Sequence, residues 1–124
     1  MLAAAPARAH HAFAAEFDEN LPLSIDGVLT KMEWVNPHSW IYLDVKDESG
    51  NVVNWRFEMG PPNALLRMGW RKDSVPSGTP VEIHGFRAKN GQPVANAQQV
   101  KLPDGRELFS GGSAPSGLSG AEKQ

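Results

Sequence analysis

Strict alternation of apolar and polar residues runs through the middle of this chain and leaves it few folds. From Ser39 to Lys46 the apolar residues Ile41, Leu43 and Val45 alternate with Trp40, Tyr42 and Asp44, and from Val53 onward Val53, Trp55, Phe57 and Met59 share one parity. A period of two describes a strand with one face toward a core. The turn residues Asp47-Glu48-Ser49-Gly50 lie between the two runs, so they read as a hairpin. Upstream, apolar positions fall on Leu23 and Ile25, then change parity after Gly27 to Val28, Met32 and Trp34, which predicts one long strand bent or bulged near the glycine. Downstream, Thr79 to Arg87 carries Val81 and Ile83, Asn90-Gly91 suits a tight turn, and Val94 to Leu102 returns. Pro103-Asp104-Gly105 turns the chain again before a short extra strand at Arg106 to Phe109. One segment breaks the pattern. Pro61-Pro62 opens a stretch from Asn63 to Met68 that Gly69 closes, the signature of a two-turn helix.

Three strands, a short helix and two strands make an all-β chain of order β-β-β-α-β-β. That order predicts an OB-fold-like five-stranded barrel, whose closure hides the edges an open sheet would expose; a small open β-sandwich is the competing arrangement. With 124 residues the chain is long enough for one compact domain and too short for two. The barrel is expected over 23–109, preceded by an N-terminal arm over 10–22. The tail 110–124 is rich in Gly, Ser, Ala and Pro and carries Leu118 as its one large apolar residue, so it is expected to be disordered.

Composition removes several functions. There is no cysteine, which excludes disulfides, thiolate metal sites and cysteine nucleophiles. The 12 basic and 14 acidic residues nearly cancel, so no broad basic footprint points to nucleic acid or anionic lipid. No phosphate loop, dinucleotide fingerprint, G-x-S-x-G elbow or H-E-x-x-H helix occurs, and a carrier or binding role needs fewer assumptions than an enzyme. Residues 1–9 read as the remnant of a signal peptide: an apolar stretch, Leu2 to Ala5, precedes the small-x-small triplet Ala7-Arg8-Ala9. That stretch is far shorter than the roughly 20 residues a membrane span needs. The expected product has no membrane span and is periplasmic or secreted.

Cleavage after Ala9 makes His10 the first residue, and its α-amine and imidazole can then chelate one metal ion. His11 follows directly. His38 stands in the turn Asn36-Pro37-His38, where the proline holds Asn36 away from helical angles and fixes the site of the histidine. An arm from Ala12 to Leu23 is long enough to bring His10 and His11 to His38, a set suited to copper or zinc. Glu16, Asp18, Glu33 and Asn36 are candidates to orient those imidazoles. The plainer readings are that the paired histidines trail a leader and that Asn36 and His38 cap their turn by bonding the backbone. His84 falls on an outward parity and reads as a surface residue, and Met32, Met59 and Met68 as packing.

Of four tryptophans, Trp55 shares the parity of Val53 and Phe57 and belongs in the core. Trp34, Trp40 and Trp70 are candidates to stack a ligand, with Arg67, Arg71, Lys72, Arg87 and Lys89 as an accompanying basic group. An exported protein meets little nucleic acid, so the expected partners are a small ligand, a glycan or another periplasmic protein. The leading expectation is a periplasmic metal-binding protein. The alternative is a metal-free ligand- or protein-binding adaptor that uses exposed tryptophans.

Four strings together resemble an exported bacterial family, domain-of-unknown-function family 6152. They are His10-His11-Ala12-Phe13-Ala14-Ala15-Glu16-Phe17-Asp18, Glu33-Trp34-Val35-Asn36-Pro37-His38-Ser39-Trp40, Asn63-Ala64-Leu65-Leu66-Arg67-Met68-Gly69-Trp70-Arg71 and Leu102-Pro103-Asp104-Gly105-Arg106. The resemblance implies a mature chain that starts His-His-Ser-Phe after a signal peptide and carries Asn-Pro-His before an aromatic strand. Ala12 stands here in place of the serine. The resemblance supports export and the choice of His10, His11 and His38, and implies no activity.

Overall fold

The computed structural model describes residues 16–110. They form β1 (Phe17–Glu33), β2 (Trp40–Lys46), β3 (Val52–Glu58), α1 (Pro62–Arg67), β4 (Pro80–Ala88), β5 (Val94–Lys101) and β6 (Glu107–Phe109). The sheet order is β3-β2-β1-β4-β5-β6, and a parallel pairing of β3 with β5 closes the first five strands into a barrel. This is the OB-like arrangement that the element order predicts, with β6 added along β5.

The long first strand is what makes closure geometrically available. Its front pairs antiparallel with β4, from Phe17 opposite Ala88 to Val28 opposite Pro80, and its rear pairs with β2, from Val28 opposite Asp44 to Glu33 opposite Trp40. One strand therefore serves two neighbours by bending between them. A Cβ at Gly27 would lie 2.8 Å from the carbonyl oxygen of Asp44, so a residue without a side chain is needed where the strands press together. The parity change, however, falls later than the sequence pattern places it. Leu23, Ile25 and Leu29 face inward, the register shifts between Leu29 and Lys31, and Met32 and Trp34 then pack on the core. Val28 is exposed, because it precedes the bulge instead of following it. β1 also begins at Phe17, so the last residues of the expected arm belong to the barrel wall. Phe17 is buried against Phe86 and Ala88, which accounts for the longer strand. At the other end Ser110 is buried and its N–H donates to the Gln98 carbonyl at 3.0 Å, so the fold includes the first residue of the expected tail.

Ile41, Leu43, Phe57, Ile83 and Val100 fill the barrel interior, and α1 and the residues after it close one end with Leu65 and Trp70, both fully buried. Each such aliphatic side chain withdrawn from water contributes about 1.5–3 kcal/mol. Trp70 also donates from its indole N–H to the Phe109 carbonyl at 2.9 Å, tying the helix end to β6. Arg71 donates from Nη1 to the Trp70 carbonyl at 2.7 Å and to the Leu66 carbonyl at 3.3 Å, which also accepts from the Gly69 N–H, and so braces the chain where the helix stops. Among the described residues no helix is long and apolar enough to cross a membrane.

Candidate functional site

The hairpin register decides where His38 meets the rest of the protein. β2 and β3 pair from Lys46 opposite Val52 to Trp40 opposite Glu58. The ladder continues past the strand end: the Met59 N–H donates to the Ser39 carbonyl at 2.8 Å and the Ser39 N–H to the Gly60 carbonyl at 3.0 Å. His38 and Glu58 thus stand diagonally across the hairpin on one face, within reach of long side chains. The His38 Nδ1 lies 3.0 Å from the Glu58 Oε2. Asn36 is joined to Pro37 by a cis peptide bond just before this point.

Glu58 belongs to the outward row of β3, yet only 6% of its surface is exposed. Barrel closure covers it. The parallel pairing puts Asn96 of β5 directly beside Glu58, and the Asn96 Nδ2 approaches the Glu58 Oε1 at 3.5 Å. The Gln98 amide donates to Asn96 in turn, so a chain of polar side chains runs from β5 through Glu58 to His38. Burial pushes the Glu58 carboxyl above its ordinary range. The His38 ring works against that rise, the Glu16 carboxylate adds to it, and the Asn96 hydrogen bond works against it. A buried carboxylate bonded to one ring nitrogen fixes the imidazole plane and leaves Nε2, on the opposite side of the ring, for a further partner.

Of the residues singled out in the sequence, His38 takes this oriented position, with its side chain about one-third exposed at 35%. Its partner is a carboxylate, not the backbone of its own turn. His10 and His11 lie outside the described residues. Among the described residues no group of three or more His, Asp and Glu side chains could hold a metal ion. Asp18 accepts from the Asn20 N–H at 2.9 Å, Glu33 is taken by the Tyr42 hydroxyl at 2.9 Å and by Lys31 at 3.4 Å, and Asn36 is exposed. Only Glu16 acts on the cluster, through its charge on Glu58. His84 pairs with Glu82 at 3.5 Å on β4.

The tryptophans divide in the same way. Trp70 is completely buried and offers no face to a ligand, because the helix end packs it into the core. Trp34 packs on the core beyond the bulge. Trp40 lines a cavity, together with Tyr42, Arg56 and Lys89. The basic residues named in the sequence do not form one stripe: Arg71 serves the helix end, Arg87 lies 5.1 Å over the Trp55 ring, and Lys89 reaches the cavity.

The geometry defines a small OB-like barrel with an oriented histidine at the end of its first hairpin. The chain belongs to the family of unknown function DUF6152, whose model matches residues 1–97. That match takes in both histidine clusters and the whole barrel up to the middle of β5. No curated protein matches it.

Proposed function

We propose that this chain is an exported periplasmic or secreted protein that binds one copper or zinc ion through His10, His11 and His38. The observation that carries the reading is the 3.0 Å contact between Glu58 and the His38 Nδ1, the arrangement by which metal-ligating imidazoles are commonly oriented. Copper and zinc both accept imidazole nitrogen, and the chain has no cysteine to offer instead. The position of Glu16 adds support, since its carboxylate acts on Glu58 and it is the residue from which the chain leads back toward His11 and His10. Six residues of extended chain span about 20 Å, ample to reach the same end of the barrel. Processing after Ala9 supplies the His10 α-amine as a further nitrogen.

The test is a titration of protein beginning at His10 with Cu(II) and Zn(II), read by calorimetry and metal analysis after desalting. One equivalent is expected to remain bound, with at least tenfold weaker binding in His38→Ala and in a protein carrying one extra residue before His10, in line with loss of one ligand. A stoichiometry near zero in the protein that begins at His10 overturns the reading.

A further inference from the structure

A cavity of about 560 Å³ opens beside the His38 cluster, between the outward faces of β2 and β3 and the turn that joins β4 to β5. Its size falls within the roughly 300–1,000 Å³ of small-molecule sites. Trp40 and Tyr42 are alternate residues on the outward face of β2, so their Cα atoms stand about 7 Å apart along one wall. Tyr42 is paired in register with Arg56, whose guanidinium lies 4.9 Å from the centre of the Trp40 ring. A guanidinium held over an aromatic face keeps its N–H edges available to an acceptor.

The charges along the walls are informative. Arg56 and Lys89 form no ion pair among the described residues, although both line the cavity. Among the described residues Glu16 is the one acidic side chain of the lining, which leaves a net single positive charge. The Gln92 side-chain amide makes no hydrogen bond among the described residues and stands at the same opening. An aromatic wall, one carboxylate, and an amide without a hydrogen bond and two cations without an ion pair among the described residues make a site for a ring that carries hydroxyls and one acid group. A polyphosphate or an oligonucleotide needs a run of cations along its backbone, and Glu16 opposes it.

We propose that this groove binds a sugar acid, a pyranose bearing a single carboxylate. The apolar face of the ring packs on Trp40 and Tyr42, its carboxylate takes the Arg56 guanidinium with Lys89 beside it, and its hydroxyls meet Gln92 and Glu16. The site adjoins the proposed metal site, with Glu16 between them, and requires no metal.

The full chain is titrated with glucuronate in the presence of EDTA, using calorimetry and tryptophan fluorescence, alongside glucose, a trigalacturonate and a short oligothymidylate. Glucuronate is expected to bind saturably, with glucose about tenfold weaker or worse, the contribution of a charge-assisted contact. Arg56→Gln and Lys89→Gln, both outward or exposed positions that leave the core intact, are expected to weaken glucuronate about tenfold and about fivefold. Tighter binding of trigalacturonate identifies a polymer as the source of the sugar acid, and equal binding a free sugar acid; both support the proposal. His38→Ala is expected to leave glucuronate affinity within about threefold, which separates this site from the metal reading. No saturable glucuronate binding, equal affinity for glucose, an unchanged Arg56→Gln, or preference for the oligothymidylate overturns it.

Discussion

Replacing His38 by Ala tests its pairing with the buried Glu58 directly, and the charge penalty it exposes has a ceiling that depends on pH. The substitution removes the donor 3.0 Å from Glu58 and leaves Asn96, at 3.5 Å, as the remaining side-chain contact of a carboxyl that is 6% exposed. Losing a hydrogen bond to a charged group costs about 1.5–3 kcal/mol. The folded protein has a second route, which is to protonate Glu58. For a carboxyl of ordinary pKa 4.5 that costs about 3.4 kcal/mol at pH 7, so the charge penalty of the stranded carboxylate cannot exceed this figure. The native protein already carries part of the penalty, because burial raises its own Glu58. The sign follows from linkage: a carboxyl raised in the folded state gives a penalty that is absent below the unfolded value of 4.5 and grows as pH rises above it. At pH 4.5 protonation costs only about 0.4 kcal/mol, and the loss in His38→Ala is expected to fall below about 1 kcal/mol. Urea unfolding with EDTA at pH 4.5 and pH 7.0 measures both, provided the m-value is unchanged. An equal loss at the two pH values refutes the buried-carboxylate account. Glu58→Gln supplies the companion result: it keeps an acceptor for the ring, removes the charge, and is expected to remove this contribution to the pH dependence.

Gly85→Ala is expected to be severely destabilising, beyond the roughly 1–3 kcal/mol of ordinary overpacking, because a Cβ there falls inside the contact radius of the Asn96 carbonyl oxygen, a backbone atom; thermal unfolding of soluble protein reads it, and a near-native midpoint contradicts the register. Trp70→Ala is expected to cost about 3–5 kcal/mol, and Trp70→Phe less, with the lost indole bond to Phe109 still felt; a neutral Trp70→Ala in urea unfolding returns Trp70 to the surface. The Tyr42 hydroxyl holds the Glu33 carboxyl below its ordinary range, so the stability it lends is present above 4.5 and lost as pH falls through the lowered value. Tyr42→Phe is expected to move the Glu33 titration midpoint upward in carboxyl-detected NMR, and no movement discards that hydrogen bond as the cause.

The parts of the fold that rest on local pattern were legible in the residues. The inward set Ile41, Leu43 and Phe57 and the helix bracketed by Pro62 and Gly69 follow from period and backbone restriction, whereas the tight turn expected at Asn90-Gly91 is a five-residue connection, 89–93, in which Asn90 keeps a negative φ and Gly91 alone takes a positive one. The misplaced bulge in β1 has a physical cause. Gly27 and the parity shift lie close together, but the glycine serves the close approach to Asp44 while the extra residue enters between Leu29 and Lys31. Trp70 could not be placed from its neighbours, since it follows the helix stop and is buried by packing that the short helix itself does not announce.

Glu58 shows where local reading ends. Alternation assigns it to the outward row with Asn54 and Arg56, and a carboxylate on that row is ordinarily solvated. Counting out from the Asp47 turn would have put Trp40 opposite Glu58 and His38 on the diagonal, so the pairing was recoverable from the hairpin alone. The burial was not. It arises because β3 meets β5 in parallel, which sets Asn96 against Glu58, and because Gly85 lets β4 press onto the Asn96 backbone from the other side. The register shift between His84 and Gly85 lies at that contact. The carboxylate that orients His38 is therefore buried by the same step that closes the barrel. An open sandwich of the same strands would leave Glu58 in water, with its carboxyl at an ordinary range and its hold on the imidazole reduced to that of a surface pair, worth about 0–1 kcal/mol.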